Sequence, residues 1–507
     1  QEKTDKNICL RILSFPFGFI TILSLFATFL VVNLVEWVKM TCGNVSFSII
    51  LLQLTSPIKG TDSGIINSII KTAVVPPVLL AVAAVLCYLF IVRGMYALED
   101  LPVKKIPRWS KICIEVVMVV FFLHTVQVQG TEIGMWDYIQ SVRESSDFYE
   151  KEYVNPAKVK MTFPKEKKNL IYIFMESMES SYADKEDGGT MDDNYIPNLT
   201  KLARENVQFT DKKDGKVGGP VCLEATAYTA GGLVAQTSAI NLKVMNSGAV
   251  SDSFLPNLTA LGDILNKQGY NQMFLCGSDG DFAGRDAYFK THKDYQIEDY
   301  KAAIKEGDIP KDYKVYWGHE DKVLYERAKK NLKKLSKEGK PFNLTMLTVD
   351  THFPNGYICD LCENKYDTTY GNAVACADRQ VYDFVQWIKK QDFYEDTTII
   401  IAGDHTSMVD TGSKFWKSLS NDYQRTVYNA IINPQCAYKK KVTTKRKFST
   451  MDMFPTTLAA LGVEIDGNKL GLGTNLFSGE ETLREELGAN YINKELKRND
   501  KMYNQFY

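Results

Sequence analysis

Three long apolar runs crowd into the first quarter of this chain, and they constrain its fold more than any other feature. No charged side chain occurs between Arg11 and Glu36, and Phe15 to Val35 is long enough, at about 1.5 Å per helical residue, to cross a hydrocarbon core. A second uncharged run lies between Lys71 and Arg93, with Pro76-Pro77 near its start, where a helix tolerates proline best. The third runs from about Trp109 to Gln129 and carries Glu115 close to one end. Phe47 to Thr55 is apolar but too short to span, which suits an interfacial or re-entrant piece.

The runs predict three transmembrane helices. The connection between the second and third holds Arg93, Lys104, Lys105, Arg108 and Lys111, whereas the one between the first and second holds little beyond Lys39, Lys59 and Lys71. Positive charge collects on the cytoplasmic side, so Lys3, Lys6 and Arg11 are expected inside and everything after Gly130 outside. A cleaved signal peptide is disfavoured, because the first run is too long and more spans follow. The expected organisation is a membrane domain at 1–130, a juxtamembrane linker at 131–160, a globular outer domain at 161–480 and a C-terminal tail at 481–507.

The remainder is polar enough to fold in water: mean hydropathy of the whole chain is only -0.20. Sixty basic residues against 61 acidic give a net charge of -1, which removes the electrostatic case for nucleic acid as a partner. From about residue 160 short β-rich runs alternate with amphipathic helical stretches. Asn169–Met175, Gln272–Leu275, Phe342–Val349 and Thr397–Ala402 read as strands, and 199–205, 258–268 and 374–390 as helices. That alternation predicts an α/β domain with a mainly parallel sheet flanked by helices. Six cysteines (222, 276, 359, 362, 376, 436) lie in this region; disulfides or idle thiols are the default for them. Cys359-Asp-Leu-Cys362 has a zinc-like spacing, but no second Cys or His pair stands at finger distance.

Three segments carry ligand-type side chains. One strand ends in Glu176 and another in Gly403-Asp404-His405. In an open parallel sheet ligands gather beyond the carboxyl ends of the strands, so a Glu, an Asp and a His converging there suit Mn²⁺, Mg²⁺ or Zn²⁺. Taken singly, Glu176 is an ordinary helix-start charge and Gly-Asp-His an ordinary turn. The third segment, Thr226-Ala-Tyr-Thr229-Ala-Gly-Gly, puts a hydroxyl at the start of a small-residue helix, where backbone N–H groups favour an anion. By pattern alone Thr229 is an N-cap; beside a metal it is a nucleophile.

In their order, these segments together with Ile196-Pro-Asn-Leu-Thr-Lys-Leu, Phe282-Ala-Gly-Arg-Asp, Thr348-Val-Asp-Thr-His-Phe-Pro and Thr450-Met-Asp-Met-Phe-Pro-Thr-Thr-Leu resemble the alkaline phosphatase and sulfatase superfamily. Within it the chain is similar to the lipoteichoic acid synthase group and its phosphoglycerol transferases, over nearly its whole length. The resemblance implies a metal site of Glu176, Thr229, Asp404 and His405, with Thr229 also the nucleophile. It implies His352 as a catalytic, phosphate-contacting residue and Arg285 as a head-group ligand. Lipoteichoic acid synthases place a His and a Trp shortly before that arginine, where this chain has Cys276 and Ala283. They also follow the nucleophile with an acidic run rather than Ala-Gly-Gly-Leu.

The activity so implied is transfer of glycerol phosphate from phosphatidylglycerol to an outer glycan or teichoic-type acceptor, through a covalent threonine intermediate and with release of diacylglycerol. The implied cofactor is one divalent cation, Mn²⁺ before Mg²⁺ or Zn²⁺, and the implied location is the bacterial cytoplasmic membrane, with the catalytic domain on its outer face. A phosphoethanolamine transferase would use the same nucleophile and metal. A sulfatase proper needs Cys or Ser in a Cys-x-Pro-x-Arg context, which Thr229-Ala-Gly-Gly lacks. A non-enzymatic envelope binding protein is the outsider, and for it the metal ligands would be dispensable.

Overall fold

The computed structural model describes residues 2–42, 47–48, 50–51, 63–97, 108–213, 215–243, 253–293 and 295–507. The chain divides into two units, residues 1–47 with 62–137, and residues 48–61 with 138–507.

The first unit is helical: α1 (Glu2–Cys42), α2 (Ser63–Ile69), α3 (Val75–Ala97) and α4 (Arg108–Glu132). Phe19–Met40, Ile66–Cys87 and Ile112–Glu132 are each long and apolar enough to cross a membrane, and they coincide with the three expected runs. Leu79, Phe90, Val117 and Leu123 are exposed, as side chains facing lipid must be. Polar groups turn towards neighbouring helices instead: Thr21 Oγ1 donates to Glu115 Oε1 at 2.9 Å and Trp37 Nε1 to Ser68 Oγ at 3.0 Å. Pro76 and Pro77 have no N–H to give the preceding turn, and α2 passes into α3 through a wider π turn, Ile70–Val74, in which Val75 N–H donates to the Ile70 carbonyl. Lys104, Lys105, Lys59 and residues 52–55 of the short apolar stretch lie outside the described residues, as do the side chains of Lys3, Lys6 and Arg11.

The second unit is built on a six-stranded sheet of β1 (Asn169–Met175), β2 (Asn271–Cys276), β3 (Tyr295–Glu298), β4 (Phe342–Leu347), β5 (Thr397–Gly403) and β6 (Asn429–Ile432). The spatial order is β3-β2-β4-β1-β5-β6, parallel throughout except for β6, which pairs antiparallel with β5. β1, β4 and β5 are buried along almost their whole length, as central parallel strands covered on both faces must be, which is why they read as unbroken apolar runs. Helices α5 (Pro197–Glu205), α6 (Thr229–Ser238), α7 (Arg285–Thr291), α8 (Asp321–Leu335), α9 (Thr369–Ile388) and α10 (Met453–Ala460) surround it.

Of the segments expected as linker and tail, residues 138–160 and 481–507 fold with this unit. Ser145–Ser146 pairs with Asn499–Asp500, and Met161–Thr162 with Glu464–Ile465. Tyr149 packs on Tyr503 with ring centroids 5.1 Å apart, and Tyr153 on Phe506 at 5.0 Å. The physical reason is a small aromatic core that neither segment can bury alone, so it shows only when the two are brought together.

Candidate active site

Register places the site. Met175 of β1 lies opposite Gly403 of β5, so the next residues, Glu176 and Asp404, emerge side by side at the carboxyl edge of the sheet. β4 ends level with β2, Leu347 against Cys276, and beyond these ends follow His352 on a loop and Arg285 at the start of α7. Four adjacent strands, β2, β4, β1 and β5, thus send Arg285, His352, Glu176 and Asp404-His405 off one edge.

Thr229 is the first residue of α6, after an extended Tyr228. Its Oγ1 lies 3.2 Å from Glu176 Oε2 and 3.4 Å from His405 Nε2. His405 Nε2 is 3.4 Å from Glu176 Oε1 and 3.5 Å from Asp404 Oδ2. The ring is oriented by Nδ1, which donates to the Thr406 carbonyl at 2.8 Å and so turns Nε2 inwards. Asp404 Oδ1 accepts from the backbone N–H of Ser177 at 2.8 Å and of His405 at 2.7 Å, whereas Asp404 Oδ2 is buried with no hydrogen-bond partner. An unpartnered buried carboxylate oxygen, a second carboxylate and an imidazole nitrogen, all within 4.8 Å of one another, form a donor set that fits a divalent cation.

The α6 start reaches this edge because of its glycines. A Cβ on Gly232 would fall 2.2 Å from the Asp404 carbonyl oxygen, and one on Gly231 2.7 Å from the Ala225 carbonyl oxygen. Gln236, a turn further along, donates to the Gly403 carbonyl at 2.9 Å. Gly232→Ala is expected to cost about 1–3 kcal/mol of stability by overpacking and to push Thr229 off the cluster. Thermal unfolding unchanged from wild type would contradict that account of the glycine pair.

Electrostatics within the cluster are those of closely spaced, buried titratable groups. Burial disfavours a charged His405 ring, but Asp404 and Glu176 outweigh it and hold its pKa up at about 9. Burial, reinforced by Glu176, pushes Asp404 up to about 8. Glu176 moves the other way: its burial is overcome by His405, and its carboxyl is held well below the usual range. His352 is half-buried, and this desolvation lowers its pKa and favours the neutral ring; it also feels the charges of Glu176, His405 and Arg285. Its Nδ1 lies 2.8 Å from the Phe353 carbonyl oxygen, and its ring packs on Trp317 at 4.7 Å. The Arg285 guanidinium is buried, anchored to Ser278 Oγ at 3.0 Å and the Asp279 carbonyl at 2.8 Å.

The supporting shell was the part least visible in the sequence. Glu179, fully buried, accepts from the Ser407 N–H at 2.7 Å and forms a bidentate ion pair with Arg425, which also grips the Ser407 carbonyl. Tyr370 donates to Ser407 Oγ at 2.9 Å, and Tyr182 to the Ser177 carbonyl at 2.9 Å. These groups fix the loops on either side of Asp404-His405. Ser177 itself has φ of 51°, a strained turn that delivers its N–H to Asp404 and its hydroxyl to Glu176. Arg425 had no local signal at all.

Over 340 residues the chain is 33% identical to phosphoglycerol transferase I of Salmonella choleraesuis (strain SC-B67), covering 65% of this chain and 41% of that protein. Phosphoglycerol transferase I of Shigella flexneri matches with the same identity and coverage. The chain therefore spans less than half the length of these curated relatives. Among solved structures, the integral membrane lipooligosaccharide phosphoethanolamine transferase A of Neisseria meningitidis shares the fold, with a TM-score of 0.52 and 14% identity over 86% of this chain and 83% of that one. Residues 168–463, the stretch that holds all six strands and every residue of the cluster, match the family model described as Sulfatase, and the chain belongs to that family.

Proposed function

We propose that this protein is a membrane-anchored phosphoglycerol transferase with Thr229 as its nucleophile, acting on the outer face of a bacterial cytoplasmic membrane. The observation that carries the reading is the Thr229 hydroxyl 3.2 Å from Glu176 and 3.4 Å from His405, beside the unpartnered oxygen of Asp404. Glu176, Asp404, His405 and Thr229 would hold a divalent cation, Mn²⁺ before Mg²⁺ or Zn²⁺, which when bound supplies the positive charge that makes a threonine hydroxyl acidic enough to react.

Thr229 Oγ1 attacks the phosphodiester phosphorus of phosphatidylglycerol, the bond to the diacylglycerol oxygen breaks, and glycerophosphoryl-threonine forms. A hydroxyl of a glycan or teichoic-type acceptor then attacks the same phosphorus in line and releases Thr229. His352, neutral at the start, takes up the proton that the Thr229 hydroxyl gives up and hands it to the departing diacylglycerol oxygen; in the second step it takes the proton of the entering hydroxyl and returns it to Thr229 Oγ1. Arg285 balances charge on the phosphoryl oxygens, where its planar donors match the geometry. Two inversions give net retention at phosphorus. The three apolar helices supply the reason for an anchor: the donor lipid sits in the same bilayer.

The test is to supply the purified full chain and Mn²⁺ with head-group-labelled phosphatidylglycerol, and in parallel with labelled phosphatidylethanolamine. The expected result is diacylglycerol from the first lipid and a glycerophosphate mass added to the Thr229 peptide. An ethanolamine phosphate adduct instead would move the protein to the neighbouring transferase class, and no adduct with either lipid would end the transferase reading.

A further inference from the structure

Outside the site, the most unusual chemistry is a cluster of three sulfurs. Cys362 and Cys376 form a disulfide, and Cys359 Sγ lies 3.6 Å from Cys362 Sγ and 3.9 Å from Cys376 Sγ. Cys359 and Cys362 sit on the loop that leaves β4 past His352, and Cys376 is on α9. Gln380, one turn beyond Cys376, points its amide at both Cys376 and Cys359, 3.5 and 4.0 Å from their sulfurs. A thiol in van der Waals reach of both sulfurs of a disulfide is close enough for intramolecular exchange once it swings in line with the bond to be broken.

We propose that Cys359, Cys362 and Cys376 form a thiol–disulfide exchange triad in which the bond migrates between Cys362–Cys376 and Cys359–Cys376. The Cys359 thiolate attacks Cys376 Sγ, a new S–S bond forms there, the Cys362–Cys376 bond breaks, and Cys362 leaves as a thiolate that takes up the proton Cys359 gave up. No electrons are gained or lost, so no oxidant or reductant enters.

The exchange changes what the surface offers. Cys359 is buried, and burial pushes its thiol up, so it is protected in the first state. Cys362 is half-buried, so migration delivers the free thiol to a position that reagents and thiol-modifying partners reach. It also moves the tether between loop and α9 three residues nearer His352. That loop is braced by Tyr316, which donates to the Phe353 carbonyl at 3.1 Å and stacks on Tyr357 with centroids 5.9 Å apart.

The experiment maps the bond in the full chain in detergent. The protein is held at pH 8 without reductant, quenched in acid, alkylated after denaturation and digested, and the linked peptides are identified by mass spectrometry. We expect both Cys362–Cys376 and Cys359–Cys376 peptides in wild type, with the alkyl label divided between Cys359 and Cys362. Cys362→Ala, treated with oxidised glutathione as the oxidant, should close the Cys359–Cys376 bond, and Cys359→Ala should keep the label off Cys362. Label confined to Cys359 in wild type would overturn the proposal, as would Cys362→Ala with Cys359 and Cys376 both alkylated. Three free thiols with stoichiometric zinc would replace it with a metal site. Should Cys362→Ala fail to fold, the wild-type label distribution alone decides.

Discussion

Replacing Thr229 by alanine should abolish turnover while leaving the fold intact: diacylglycerol release is expected to fall by about 10³- to 10⁶-fold, the scale on which enzymes lose rate when a nucleophile is removed. The hydroxyl is not a structural group. Among the described residues its hydrogen-bond partners are Glu176 and His405, and α6 is held in place by the Gly232 contact with Asp404 and by Gln236 on Gly403. Thr229→Ser keeps the oxygen but loses the methyl that restricts its rotation, and should retain a measurable fraction of the rate. The discriminating readout is the adduct: wild type and Thr229→Ser carry glycerophosphate on residue 229, and Thr229→Ala carries none. Wild-type turnover in Thr229→Ala would remove the threonine from the chemistry altogether.

The second large effect is a crossing of stabilities on Asp404→Asn. In the metal-free protein Asp404 sits near pKa 8, against about 3.8 unfolded, and His405 near 9, against about 6.5. Both folded values are raised, so both groups contribute stability that is present at low pH and lost as pH rises, between about 4 and 8 for Asp404 and between about 6.5 and 9 for His405. Glu176 is lowered, so its contribution is present above its ordinary pKa of 4.5 and lost only below that, outside this window. Metal-free wild type should therefore unfold at progressively lower temperature from pH 5 to pH 9. Asp404→Asn, with no buried carboxylate to ionise, should be the more stable of the two at pH 8 without metal. Adding Mn²⁺ reverses the order: wild type gains stability by mass action and the variant does not. Turnover in the variant should drop by at least about 10³-fold, because several kcal/mol of charge stabilisation at about 1.4 kcal/mol per decade is withdrawn. Equal Mn²⁺-induced shifts in melting temperature for both proteins would show that Asp404 is not a ligand.

Much of this site was legible because parallel sheets write their chemistry at predictable places. An apolar run that stops at Glu176 and another that stops at Asp404-His405 mark two strand ends, and the register of Met175 with Gly403 does the rest. The three apolar helices were equally plain, since nothing but length and hydropathy is needed to see them. What the sequence hid depends on separation along the chain. Arg425 reaches Glu179 across 246 positions, and Cys376 joins Cys359 and Cys362 through helix geometry that a spacing rule for paired cysteines does not contain. The pairing of residues 145–153 with 499–506 was hidden for the same reason, because each segment is half of an aromatic core.

That aromatic core also sets the order of assembly. Ser145–Ser146 cannot find Asn499–Asp500 until some 350 residues later have been made, so the α/β unit stays open at its base through nearly all of its synthesis. Tyr149 and Tyr153 must wait uncovered during that interval, so the clasp closes late in the folding of this unit.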